Sequence, residues 1–346
     1  MRSTIPLPPR ARNRHARLSP LFFSMLLLLG PCLVSAHADT PAATARLTPD
    51  TRSAERSLMQ GRIDEAVLAL RHAVATNPND GPAHLLLCRS FYAEERQDDA
   101  ISACENAVKA MPLSSDAQDW MGRAYGMKAS HAGPIAGFNL ARKVKSAFET
   151  AVQLDPANGP AVNDLSEFYI SAPAIIGGGQ DKAAALADRA QPQLPQQAHR
   201  IRALAAEKRK DKGTAEREFR AAVDVAFHPD AWVDLAAFYA RHTQYDKAID
   251  ALRQCLAADR SMDATIVDAA SILLDMHREP GLAEQSLQQY LLSDAKSDAA
   301  PVIDVHLKLG KLRAAAGDKT GAKIEFNKAL ELASNYAPAR QALQKL

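Results

Sequence analysis

Ala66-x3-Leu70-x2-Ala73-x4-Pro78 returns 34 residues later as Ala100-x3-Cys104-x2-Ala107-x4-Pro112. The same spacing recurs at Ala248, Leu252 and Cys255, and again at Ala322, Phe326 and Ala329. Small and apolar residues at steps of three, four and seven mark one face of a helix. The small ones (Ala66, Ala100, Ala248, Ala322) let a second, antiparallel helix come close, where a larger side chain would be overpacked. Pro78, Pro112 and Pro156 cannot continue a helix and end the second arm of their units. One such hairpin cannot bury its own apolar face, so consecutive hairpins must stack.

The composition agrees. The chain has 346 residues, 47% hydrophobic, 5% aromatic and 24% charged, with only 16 Gly. That balance excludes a disordered, collagenous or multi-pass membrane chain and favours helices over β-rich architectures.

Upstream of the third set stands Trp232-x2-Leu235-Ala236-x2-Tyr239; upstream of the fourth, His306-x2-Leu309-Gly310-x2-Arg313, then Gly317-Asp318. A half-match is Met121-Gly122-x2-Tyr125. These residues resemble the tetratricopeptide repeat family, whose pattern is W-x2-L-G-x2-Y, then A-x3-F and a closing P. The resemblance implies an all-α fold: a right-handed superhelical solenoid of about eight helix-turn-helix units with a C-terminal capping helix. Units are expected at 47–80, 81–114, 115–158, 159–195, 196–228, 229–262, 263–300 and 301–334, with the cap at 335–346; the first and seventh match poorly.

Two adjacent units, 115–158 and 159–195, are enlarged. The surplus is expected between the paired helices, at 127–138 and 172–182. Both insertions then share one edge of the stack, where His131, Phe138, Ile175, Ile176, Gly177, Gly178, Gly179 and Lys182 form a candidate composite edge. The apolar members, with Ile135, either pack against one another or receive a ligand. Gly177-Gly178-Gly179 reads as a turn with Asp181 capping the next helix. The rival is an anion site on free backbone N–H groups, although the segment lacks the ending of a nucleotide P-loop.

Residues 1–20 carry five Arg and no acid; the apolar run Leu21–Leu29 follows, and then the small residues Val34-Ser35-Ala36 and Ala36-His37-Ala38. Those are the three parts of a secretory signal, so residues 1–38 are expected to be a signal peptide followed by a short linker, 39–46. Pro31 interrupts the apolar stretch well short of the roughly 20 residues of a spanning helix, so no stable membrane span is expected after cleavage. Without residues 1–38 the chain keeps 37 basic and 40 acidic residues, a formal net charge of −3. That balance carries no nucleic-acid footprint. The protein is expected to be exported, most simply to the periplasm.

No two of the remaining His are three or four apart, and no G-x-S-x-G, H-E-x-x-H or C-x-x-C occurs. No catalytic residue, metal site or cofactor is therefore expected. Cys88 and Cys104 sit on opposite arms of one hairpin. Antiparallel packing can bring them level for a disulfide in an oxidising compartment; the alternative is two buried small residues standing in for Ala or Leu.

The resemblance implies that the first helices of successive units line a concave face where peptides or partner helices lie. Polar positions there are Arg89, Tyr92, Asp119, Arg123, Asn163, Glu167, Arg241 and Lys311. Arg and Tyr suit partner anchoring because they combine large contact area with directed hydrogen bonds. The lysine-and-asparagine clamp that some family members use for acidic tails is not reproduced. The expected function is an exported interaction scaffold for a protein or peptide. Its rivals are a structural subunit of an envelope assembly or export complex, and small-anion binding or catalysis at the insertions.

Overall fold

Helices form wherever the apolar period runs, and they break at its punctuation. The computed structural model describes residues 47–346 apart from Phe227; the expected signal peptide and linker lie outside the described residues. Seventeen α-helices and one 3-10 turn follow one another, with no strand among the described residues. The antiparallel pairs are α1 (Pro49–Met59) with α2 (Ile63–Thr76), α3 (Gly81–Ala93) with α4 (Gln97–Ala110), and α5 (Ser115–Ala129) with α6 (Pro134–Leu154). Next come α7 (Gly159–Ser171) with α8 (Gln180–Ala190) and α9 (Pro195–Lys208) with α10 (Lys212–Val225). The last three are α11 (Asp230–Arg241) with α12 (Tyr245–Ala258), α13 (Ala264–Asp275) with α14 (Pro280–Leu292), and α15 (Val302–Ala315) with α16 (Lys319–Leu332). A single helix, α17 (Ala337–Gln344), follows. Each second helix packs on the first helix of the next pair, and the first helices from α1 to α13 also touch in an unbroken row. That row lines the inner face.

The turns into α3, α5 and α7 follow one chemistry. Asp80, Ser114 and Asn158 each stand two residues after a proline and accept the N–H three residues on, from Ala83, Ala117 and Ala161. The proline stops one helix and the cap starts the next. Turns within units follow another. Gly61, Glu95, Lys210, Thr243, His277 and Gly317 all have positive φ. At Glu95 the N–H bonds the Tyr92 carbonyl at 3.0 Å, and the N–H of Arg96 bonds that of Phe91 at 2.9 Å. This pair of bonds satisfies the last carbonyls of the first helix, and it recurs at the other five positions.

In the two enlarged units the first helix ends without this turn, and the same bond pair reappears at Gly177, where it closes a 3-10 segment and not α7. In the first, the expected insertion at 127–138 is mostly not a loop: α5 runs to Ala129, and α6 starts at Pro134 and extends to 21 residues. Proline in the first turn has its φ preset for a helix, and no second proline follows before Leu154. Phe138 and Ile135 are therefore helical. The apolar insertion residues do not bury one another, since Ile135 is 83% and Ile175 82% exposed. In the second unit the surplus does form a turn, at 172–179, with Ala174–Ile176 in 3-10 conformation and Gly177 at φ +98°. Asp181 lies in the first turn of α8 and does not cap it; the cap residue is Gly179.

Inside the pairs, aromatic rings rest on bare backbone. A Cβ added at Gly122 would overlap the Phe148 ring, and one at Gly310 would overlap that of Phe326. Cys88 and Cys104 lie level, bridged with Cα atoms 5.0 Å apart and fully buried. The thiol of Cys255 is buried too, and desolvation, with nearby Asp259 adding, pushes its pKa up to about 12.

The two ends of the stack meet. One continuous core joins Ala54, Leu58 and Ile63 of the first pair to Ile303, Leu307, Phe326 and Tyr336 of the last elements. A Cβ at Gly61 would fall 2.5 Å from that of Val302. The Asp64 carboxylate accepts the N–H of Ser334 at 2.9 Å.

Two stability changes follow. Gly122→Val should cost about 1–3 kcal/mol by overpacking against Phe148, read as a lower urea midpoint. Thr243→Gly should add about 1 kcal/mol of stability and raise the midpoint, because a β-branched residue is relieved of left-handed backbone strain. Thiol alkylation provides a third check. The oxidised native protein should label nowhere among the described cysteines, and the unfolded one only at Cys255.

Candidate partner-binding groove

Helical spacing turns one polar stripe of every first helix inward, so charges of successive units meet there. The result is a ladder of ion pairs. Arg123 on α5 holds Asp119 of its own helix at 3.0 Å and Asp164 of α7 at 2.6 Å. Arg200 on α9 bridges Glu167 of α7 at 2.5 Å and Asp234 of α11 at 3.0 Å. Arg241 on α11 makes a two-pronged contact with Glu207 of α9, at 3.0 and 2.7 Å. Arg89 on α3 has a different partner: Asp298, in the segment between α14 and α15, at 2.5 and 2.7 Å.

Between α3, α5, α7 and that segment lies a cavity of about 550 Å³, lined by Tyr92, Trp120, Arg123, Met127, Asp164 and Phe168 among others. Trp120 is its centre. Tyr92 meets the Trp120 ring edge-on at 5.3 Å, while the guanidinium groups of Arg89 and Arg123 lie 5.5 and 4.8 Å from the ring. Cation–π attraction holds both groups against the indole. An adjoining cavity of about 450 Å³ shares Glu167 and Ser171 and continues along Arg200, Leu204 and Arg241. Together they form a groove with an aromatic end and a charged end.

Burial shapes its titration. Desolvation raises the Asp119 carboxyl to about 7, with Arg123 opposing and Asp164 adding to the rise. Asp164 is likewise raised by burial, and so is the phenol of Tyr92. Two carboxyls held on one guanidinium in a low-dielectric pocket do not both ionise readily. The buried atoms Asp119 Oδ1, Asn163 Oδ1 and Arg200 Nη1 have no protein partner among the described residues.

Of the residues expected from sequence, Tyr92, Arg123 and Glu167 line the aromatic cavity, and Arg241 lines the charged one. Asp119 and Arg89 stand behind the first wall and orient it. Lys311 lies elsewhere, in a cleft of about 600 Å³ between α13 and α15 with Leu274 and Leu312. The insertion edge is separate again. His131 is exposed and bonds Gln97 Nε2 at 2.8 Å. Lys182 Nζ donates to the Gly177 carbonyl at 2.9 Å. The N–H groups of Gly177, Gly178 and Gly179 bond the carbonyls of Ala174, Pro173 and Tyr169. They are therefore closed to an anion, and Asp181 adds a negative charge beside them.

Trp120 and Phe168 escaped the sequence reading. If Gly122 occupies the small-residue position, the repeat's own Trp position falls at Gln118, and Trp120 lies two residues further round the helix. That rotation faces the groove, and an aromatic off register was the available signal. Asp298 had no local signal at all.

A stack of antiparallel helix pairs with a lined inner groove defines a helical-repeat solenoid. Residues 57–125 and 229–262 match family models described as Tetratricopeptide repeat. Such repeats generally mediate protein–protein interaction. The chain is similar to a thermophilic TPR protein of Thermus thermophilus, with 19% identity and TM-score 0.44, covering 65% of this chain and 97% of that one. It is also similar to MamA, with 20% identity and TM-score 0.39, covering 52% of this chain and 95% of that one. No curated protein matches its sequence.

The raised Asp119 carboxyl gives a pH test. The native state keeps a proton that the unfolded chain releases above about pH 4, so this group's contribution to stability falls as pH rises toward about 7. Denaturation midpoints should therefore drop between pH 5 and pH 8 (both approximate), and Asp119→Asn should flatten that drop.

Proposed function

We propose that this protein is an exported, non-enzymatic scaffold whose inner groove binds a protein or peptide partner. The observation that carries the reading is the cavity of about 550 Å³ built around Trp120, with Tyr92, Phe168 and two stacked guanidinium groups. Large, rigid aromatic and Arg side chains give contact area at low ordering cost, which is why they dominate protein interfaces. The unpartnered polar atoms of Asp119, Asn163 and Arg200 add capacity for a partner's hydrogen bonds. Export is supported by the Arg-rich start, short apolar run and small residues before position 39. The buried Cys88–Cys104 bridge suits an oxidising compartment. No helix among the described residues is long and apolar enough to cross a membrane.

Capture from the native host, followed by titration of the isolated partner, tests the reading. Trp120→Ala or Tyr92→Ala should weaken binding by about tenfold or more, the usual effect of losing an anchoring aromatic. Ile324→Ala, on the outward helix α16, should leave binding unchanged. Equal losses from all three would place the interface outside the groove.

A further inference from the structure

Arg89 is the groove arginine whose acid comes from the far end of the chain. Arg123, Arg200 and Arg241 pair with carboxylates of their own or a neighbouring unit. Arg89 pairs with Asp298, which lies 209 residues away. The reason is register. Thirty-four residues after Arg89, at the same place in the next first helix, stands Arg123. Where Arg200 finds Asp234 one repeat on, Arg89 finds a like charge stacked on the same indole. The local ladder has no acid for it.

The segment that supplies the acid, residues 293–301, is held in shape from below. Tyr290 is fully buried in the core. Its hydroxyl donates to the Ala300 carbonyl at 2.8 Å and accepts the Ser297 N–H at 2.9 Å. From that anchor the strap presents Asp298, with its side chain only 8% exposed, to Arg89. Asp298 and Ala299 thereby form one wall of the aromatic cavity.

We propose that strap 293–301 is an internal stand-in for the groove's partner. Its Asp298 occupies the Arg89 guanidinium that an extended acidic segment of the partner takes when the strap lifts. This deepens the groove reading and rests on it. Arg89 is pre-aimed by Trp120, presents a planar two-pronged donor, and is already answered by a carboxylate followed by small residues, Asp298-Ala299-Ala300. A partner of matching chemistry carries an Asp or Glu followed by small side chains. The strap also regulates access. A tethered competitor acts at an effective concentration of about millimolar, so a weak free ligand is held off until its local concentration is comparable.

The test uses the full chain and, as probe, a fluorescently labelled synthetic copy of residues 293–301 with blocked ends, followed by anisotropy. Wild type should bind it weakly. Asp298→Asn should bind at least about tenfold more tightly, because the tethered competitor has lost its charge. Tyr290→Phe, which loosens the strap and leaves Arg89 and Asp298 intact, should act in the same direction and guards against misfolding of the first variant. Adding Arg89→Ala to Asp298→Asn should return binding to the wild-type level, and a probe with Asn in place of its second Asp should bind no variant. Equal affinity of wild type and both strap variants would overturn the proposal. A captured partner whose binding needs Trp120 but ignores Arg89 and Asp298 would also overturn it, while leaving the groove reading standing.

Discussion

A phenyl ring pressed onto bare backbone sets the distance between paired helices here. Phe148 over Gly122 and Phe326 over Gly310 repeat one contact in different units, and alanines serve elsewhere at Ala66, Ala100, Ala236 and Ala248, each fully buried. The close approach lets each pair present a flat, apolar flank. Two helices have no means of covering that flank themselves, so the next pair must. Stacking, the inner row of first helices and the groove all follow from this requirement.

The groove shows how a repeat handles charge. A polar stripe that faces inward becomes crowded when units stack, and water alone cannot solvate it fully. Acids and arginines spaced 34 residues apart, such as Arg200 with Asp234 and Arg241 with Glu207, neutralise each other across neighbouring helices. Where two arginines fall in the same register, at Arg89 and Arg123, both lie against the indole of Trp120 and outside acids complete the site. Asp164 comes from the enlarged neighbour and Asp298 from the strap. The cavity forms where the repeat departs from regularity.

The enlarged units carry a similar lesson. Their surplus was legible as an excess over the period, but its form was not. Gly133-Pro134 reads as a loop by composition, yet proline at a helix start is a nucleating residue, and the added length went into α6. By sequence the triple glycine reads as a turn, with a rival role for its N–H groups. The structure bonds all three to nearby carbonyls. In both units the first helix also ends without the left-handed cap used by the other six, at Ser130 and Ala172, and the added length follows that end.

The sequence alone determined the all-α repeat, its period, the helix breaks at proline and the small-residue contacts, because these depend on residues within one or two units of each other. Only the tertiary structure decided that the first and last elements share a core, that Asp298 answers Arg89 and that Trp120 faces inward. Those contacts join residues from opposite ends of the chain, or depend on helix rotation within the stack. A small angular step accumulated over every unit determines which distant side chains meet, and no local pattern encodes that sum.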